Sequence, residues 1–85
     1  MSDLNAQFEQ AQQDVQGLSA RPSNSDMQSL YGLYKQATAG DVTGKRPGMM
    51  DIMGRGKYDG WSKQKGKSSD VAKQEYVDLV GRLKG

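Results

Sequence analysis

The 85-residue chain contains no cysteine and no histidine. Without cysteine there are no disulfides and no thiolate ligands or nucleophiles. Without histidine the commonest general base and the commonest zinc ligand are also gone. Carboxylate or lysine chemistry remains open in principle, but no cluster in the sequence singles it out, so the chain reads as a non-enzyme with no metal and no cofactor. Aromatic residues are few, with one Trp, one Phe and four Tyr. No apolar run approaches the roughly 18 residues that a membrane span requires. The opening MSDLNAQFEQ lacks the basic and apolar regions of a secretory signal. The expectation is therefore one cytoplasmic domain spanning residues 1–85, monomeric and with a small core.

What is present is unevenly distributed. The net charge is only +2. Arg21 and Lys35 are the sole cations up to residue 44, against five carboxylates, whereas residues 45–85 hold ten Lys or Arg against five Asp or Glu. A basic second half fits either a solvated face or an anionic partner, such as a phosphate ligand, a nucleic acid or a membrane surface.

Apolar spacing predicts four helices and no strand. Leu4, Phe8, Ala11, Val15 and Leu18 put one face on a helix from about Asp3 to Leu18, broken at Ala20-Arg21-Pro22. A second helix follows Ser23, a candidate N-cap, carries Met27, Leu30, Tyr31, Tyr34 and Ala37, and stops at Gly40. Residues 41–51, with Gly44, Pro47 and Gly48, read as loop. A third segment, about 52–65, is weakened by Gly54, Gly56 and Gly60, and propensity alone makes 52–57 coil. The fourth starts at Ser68 and carries Ala72, Tyr76, Leu79, Val80 and Leu83. The fold class is all-α, a compact four-helix arrangement. Phe8, Val15, Val80 and Leu83 are assigned to an interface between the first and fourth helices.

Tyr31, Tyr34 and Lys35 lie at i, i+3 and i+4. Two tyrosines at helical spacing are ordinarily core, but a charge on the same stripe argues for a ligand. An aromatic ring can stack on adenine, a phenol can donate to phosphate, and an ammonium adds a charge-assisted bond. Met27, Met49, Met50 and Met53 fit either an adaptable groove for an alkyl chain or plain core filling. Trp61 reads as structural.

The segment Tyr31-Gly32-Leu33-Tyr34-Lys35-Gln36-Ala37-Thr38, then Gly40-Asp41, Arg46-Pro47-Gly48-Met49, Asp51, Lys57, Trp61, Lys65, Gly66 and Tyr76, resembles the acyl-CoA binding protein family over nearly the whole chain. The resemblance implies a four-helix bundle of up-down-down-up topology. It implies a carrier of medium- or long-chain fatty acyl-CoA that meets acyl-CoA-using enzymes or membranes transiently and binds no nucleic acid. The ligand positions it implies are Tyr31, Gly32, Leu33, Tyr34, Lys35, Met53, Lys57 and Tyr76. The chain departs from the pattern at Gln16 and Met53, where many members carry lysine, at Tyr58, where many carry tryptophan, and at Gly56 and Gly60, where alanine is common. The extra glycines imply a looser third helix. The competing reading is a small basic helical module that binds nucleic acid, although the lysines follow no recognised reading element.

Overall fold

The computed structural model describes residues 3–85; Met1 and Ser2, counted in the expected single domain, lie outside the described residues. Four helices follow in order: α1 (Leu4–Gln16), α2 (Asn24–Ala39), α3 (Ile52–Ser62) and α4 (Ser69–Leu83). Each begins on a side-chain cap that satisfies otherwise orphaned backbone donors. The Asp3 carboxylate accepts from Asn5 N and Ala6 N, Ser23 Oγ from Asp26 N, the Asp51 carboxylate from Gly54 N, and Ser68 Oγ from Val71 N. Helix α2 ends at Gly40, whose φ of 84° is open to glycine at little cost.

Side-chain contacts fix the topology. Asn5 meets Lys73, Phe8 meets Tyr76 and Asp14 meets Lys84, so α1 and α4 run in the same direction. Gln28 meets the Gly56 carbonyl and Gly32 faces Gly60, so α2 and α3 are parallel as well. Asp26 pairs with Arg82 while Ala37 receives the Ser69 hydroxyl, which sets α4 antiparallel to α2. The result is up-down-down-up. Parallel neighbours need a connection that travels back along the helix, and residues 40–51 provide it. That segment is tied to α3 by Trp61 Nε1 donating to the Gly40 carbonyl (2.7 Å), Tyr58 Oη donating to the Gly44 carbonyl (3.0 Å), and a two-pronged Arg46–Asp59 pair (2.8 and 2.7 Å).

The core is the shared face of α1, α2 and α4: Phe8, Ala11, Leu30, Leu33, Ala37, Ala72, Tyr76, Leu79 and Val80, with Val15, Val77 and Leu83 packed at its margin. A second structural centre is polar. Buried Gln36 donates from Nε2 to Asp41 Oδ1 (2.8 Å) and to the Lys67 carbonyl (2.9 Å), and Asp41 Oδ1 also accepts from Gly66 N (2.8 Å). This knot joins the end of α2 to the α3–α4 turn.

Three expectations are corrected. Helix α1 stops at Gln16 rather than near Leu18, because Gly17 N closes a tighter turn on the Asp14 carbonyl (3.0 Å). Helix α3 starts at Ile52 as the third segment predicts, against the coil that propensity alone gives for 52–57, but it ends at Ser62 rather than near Lys65, so Lys63 and Lys65 lie in the turn beyond it. The Asp51 cap and the packing of α3 on α2 override the weak glycine propensity. Gly60 is buried, and a Cβ there would come within 2.5 Å of the Gln28 carbonyl oxygen. The glycine allows close approach rather than loosening the helix.

Candidate functional site

Two adjoining grooves open along α2. The first has a volume of about 540 Å³ and lies between the C-terminal end of α1, the 17–22 connection, α2 and α4. Val15, Leu18, Pro22, Met27 and Leu30 give it an apolar wall, and Tyr31, Tyr34 and Tyr76 converge on it. The second, about 530 Å³, lies between α2 and the first half of α3, where Gln28, Ile52, Met53 and Lys57 line it. Arg21, Met27 and Tyr31 belong to both, so the two form one continuous trough.

The tyrosine hydroxyls are used unequally within the protein. Tyr58 gives its hydroxyl to the Gly44 carbonyl, but the hydroxyls of Tyr31, Tyr34 and Tyr76 make no hydrogen bond among the described residues. Tyr76 is held at depth by edge-on contact with Phe8, centroids 5.1 Å apart, and Phe8 stacks on Tyr34 at 6.1 Å. Burial, with the neighbouring Tyr34 adding to it, pushes the Tyr76 phenol above its ordinary value, so it remains a neutral donor. The Lys57 ammonium stands over the Tyr31 ring at 5.4 Å, within range of cation–π attraction. That contact carries a cation from α3 across to the α2 side of the trough.

The other expected positions fall differently. Lys35 lies about 100° around α2 from Tyr34, and its ammonium sits 4.8 Å over the Trp61 ring, outside the linings of both grooves. Leu33 is core. Gly32 is buried against α3, where a Cβ would overlap the Gly60 carbonyl. Met27 and Met53 line the trough, whereas Met49 and Met50 line neither groove and are largely exposed. Gln16, one of the departures, lines the first groove. Arg21, which the sequence places in the break after the first helix, lines both grooves. The available signal was its isolation, since it and Lys35 are the only cations in the acidic first half.

An apolar trough with unspent phenols and cations at its rim suits an amphiphile with an anionic, hydrogen-bonding head and an alkyl tail. The family model for acyl-CoA binding protein matches residues 5–80. The chain belongs to the acyl-CoA binding protein family. Among members of this family, it is 44% identical over 80 residues to the acyl-CoA-binding protein homolog of Drosophila melanogaster, covering 94% of this chain and 93% of the relative. It is 48% identical to the acyl-CoA-binding protein of Brassica napus, covering 94% and 87%. The fold matches the crystal structure of Oryza sativa acyl-CoA-binding protein 2 with a TM-score of 0.89 at 41% identity, over 94% of this chain and 87% of the other. It also matches the Moniliophthora perniciosa protein of the family, at 0.82 and 36% identity, over 98% and 80%. Among the described residues, no helix is long and apolar enough to cross a membrane, and no group of carboxylates is placed to hold a metal ion.

Proposed function

We propose that this protein binds medium- and long-chain fatty acyl-CoA thioesters in the trough along α2 and carries them without transforming them. The observation that carries this reading is the convergence of Tyr31, Tyr34 and Tyr76, with hydroxyls unbonded among the described residues, on one end of a continuous apolar trough that Arg21 and Lys57 border. The head group supplies an adenine ring for stacking and phosphates for Lys57, Arg21 and the phenols. The alkyl chain gains about 0.8 kcal/mol for each CH₂ removed from water. Lys35 joins the head-group site by leaving the half-buried Trp61 face when a phosphate is offered, since a charge-assisted bond to phosphate, worth about 1.5–3 kcal/mol, competes with the cation–π contact. The protein acts as a monomeric cytoplasmic carrier that hands its ligand to acyl-CoA-using enzymes or to membranes.

The nucleic-acid reading has no comparable support. Arg46, Lys67 and Lys84 of the basic half are in ion pairs within the fold, and Lys63 and Lys73 bond to Gln28 and Asn5. Calorimetric titration with palmitoyl-CoA, free coenzyme A, palmitate and a DNA duplex tests both. Tight binding of the thioester, weaker binding of its separate halves and none of the duplex is expected. Preference for the duplex overturns the carrier reading.

A further inference from the structure

One surface of the molecule is spent neither on the core nor on the trough lining alone. Where the 40–51 connection enters α3, four large apolar side chains stand in solvent within five positions: Met49 at 81% exposure, Met50 at 96%, Ile52 at 79% and Met53 at 76%. Single exposed apolar residues need no explanation, but a contiguous cluster marks a surface that meets another phase or molecule. Met49 and Met50 are outside the trough, whereas Ile52 and Met53 form the lip of its second groove. The cluster is therefore continuous with the mouth through which a ligand would pass.

Charge selects the occupant. Lys45, Arg55 and Lys57 flank the cluster in sequence, and Arg21 lines the same groove as Ile52 and Met53. The acids in this stretch are already engaged. Asp51 caps α3 by accepting from Gly54 N, and Asp59 is paired with Arg46. An apolar knob with cations on both sides of it in sequence, outnumbering the one capping carboxylate Asp51 inside it, complements a bilayer whose surface is anionic and whose interior accepts thioethers and alkyl groups. We infer that Met49, Met50, Ile52 and Met53 insert into the interface of anionic phospholipid membranes, with the exposed Lys45 and Arg21 toward the headgroups, so that the trough opens onto the membrane. This deepens the carrier reading and rests on it for its purpose: an acyl chain would pass between bilayer and groove without crossing water.

The test is flotation with vesicles made of equal parts phosphatidylserine and phosphatidylcholine, and with pure phosphatidylcholine vesicles, in the absence of acyl-CoA. Wild type should float with the anionic vesicles, and less so as salt rises. The double variant Met49→Gln, Met50→Gln should lose about tenfold in partitioning, and Lys45→Glu should lose binding to the anionic vesicles. Affinity of the double variant for palmitoyl-CoA below its micellar range, measured without vesicles, should equal that of wild type. Equal flotation of wild type and the double variant overturns the inference, as does equal flotation on both lipids. So does self-association of wild type that the double variant abolishes while vesicle binding is absent, since the cluster would then be an interface between chains. Failure of palmitoyl-CoA binding by both proteins removes the carrier reading, while the flotation result still decides the membrane contact.

Discussion

Gly32 of α2 and Gly60 of α3 meet backbone to backbone, so closely that a Cβ on Gly32 would occupy the space of the Gly60 carbonyl. This contact holds α3 against α2 and so sets the distance from Lys57 to Tyr31 across the trough. Gly32→Ala gains about 1 kcal/mol in helix propensity but overpacks a backbone contact that no rotamer change relieves, at about 1–3 kcal/mol. The expected net result is a Tm lowered by a few degrees. Gly56, in the same helix as Gly60, has open space where its Cβ would stand. Gly56→Ala should raise stability by about 0.5–1 kcal/mol. Thermal unfolding of the two variants checks the opposite signs; stabilisation by both means the helices separate freely.

The unbonded phenols separate binding from folding. Tyr76→Phe removes a hydroxyl that makes no hydrogen bond among the described residues, so unfolding in urea should change by less than about 0.5 kcal/mol. Affinity for acyl-CoA should fall by about 0.5–1.5 kcal/mol, the worth of one hydrogen bond. A stability loss with unchanged affinity would reassign Tyr76 to the core alone.

Lys57→Ala should weaken acyl-CoA binding by about 1.5–3 kcal/mol where its phosphate bond is shielded from water. The far-ultraviolet circular dichroism should match wild type, because the side chain is exposed and rests on the Tyr31 ring at the edge of the trough rather than in the core. Wild-type affinity in this variant would place the head group elsewhere.

Met53 lines the second groove while remaining exposed. Met53→Lys should tighten acyl-CoA binding by about 0.2–1 kcal/mol, the range for an exposed, screened pair. The gain should fade with added salt. Weaker binding at both low and high salt would show that the thioether packs on the ligand.

Acid should loosen the polar knot. Hydrogen bonds from Gly66 N and then Gln36 Nε2 hold the Asp41 carboxyl below the usual carboxylate range, and the Arg46 guanidinium does the same for Asp59. A depressed folded-state pKa adds stability above the unfolded value near 4. That contribution is lost as pH falls through the folded value. Urea midpoints should therefore drop as pH is lowered from about 5 to 2, with a shallower drop in Asp41→Asn, whose amide oxygen still accepts. Parallel curves for the two proteins would assign the acid sensitivity to other carboxylates.

Most of the fold was legible in the sequence because its causes are local. The 3/4 spacing of Leu4, Phe8, Ala11 and Val15, the Ser23 and Ser68 caps and the stop at Gly40 each act within a turn or two of chain, and the structure keeps them. Val80, Phe8 and Leu83 pack between α1 and α4 because a stripe that must leave water has few places to go. The motif around Tyr31–Asp41 was equally legible, yet part of it is architecture. Gln36, Gly40, Asp41 and Gly66 tie helix ends together, and Trp61 bonds the Gly40 carbonyl.

What the chain determined alone was which residues form helices, which faces turn inward and which family pattern it carries, since periodicity and capping are properties of neighbours in sequence. Tertiary structure alone decided that the glycine-rich 52–57 turn holds its helix against its propensity, that Arg21 and Lys57 border one trough, and that Lys35 rests on Trp61. Those outcomes depend on how closely α2 and α3 approach, and that distance is set by glycines 28 residues apart and by a connection that folds back along the helix, contacts that no local spacing encodes.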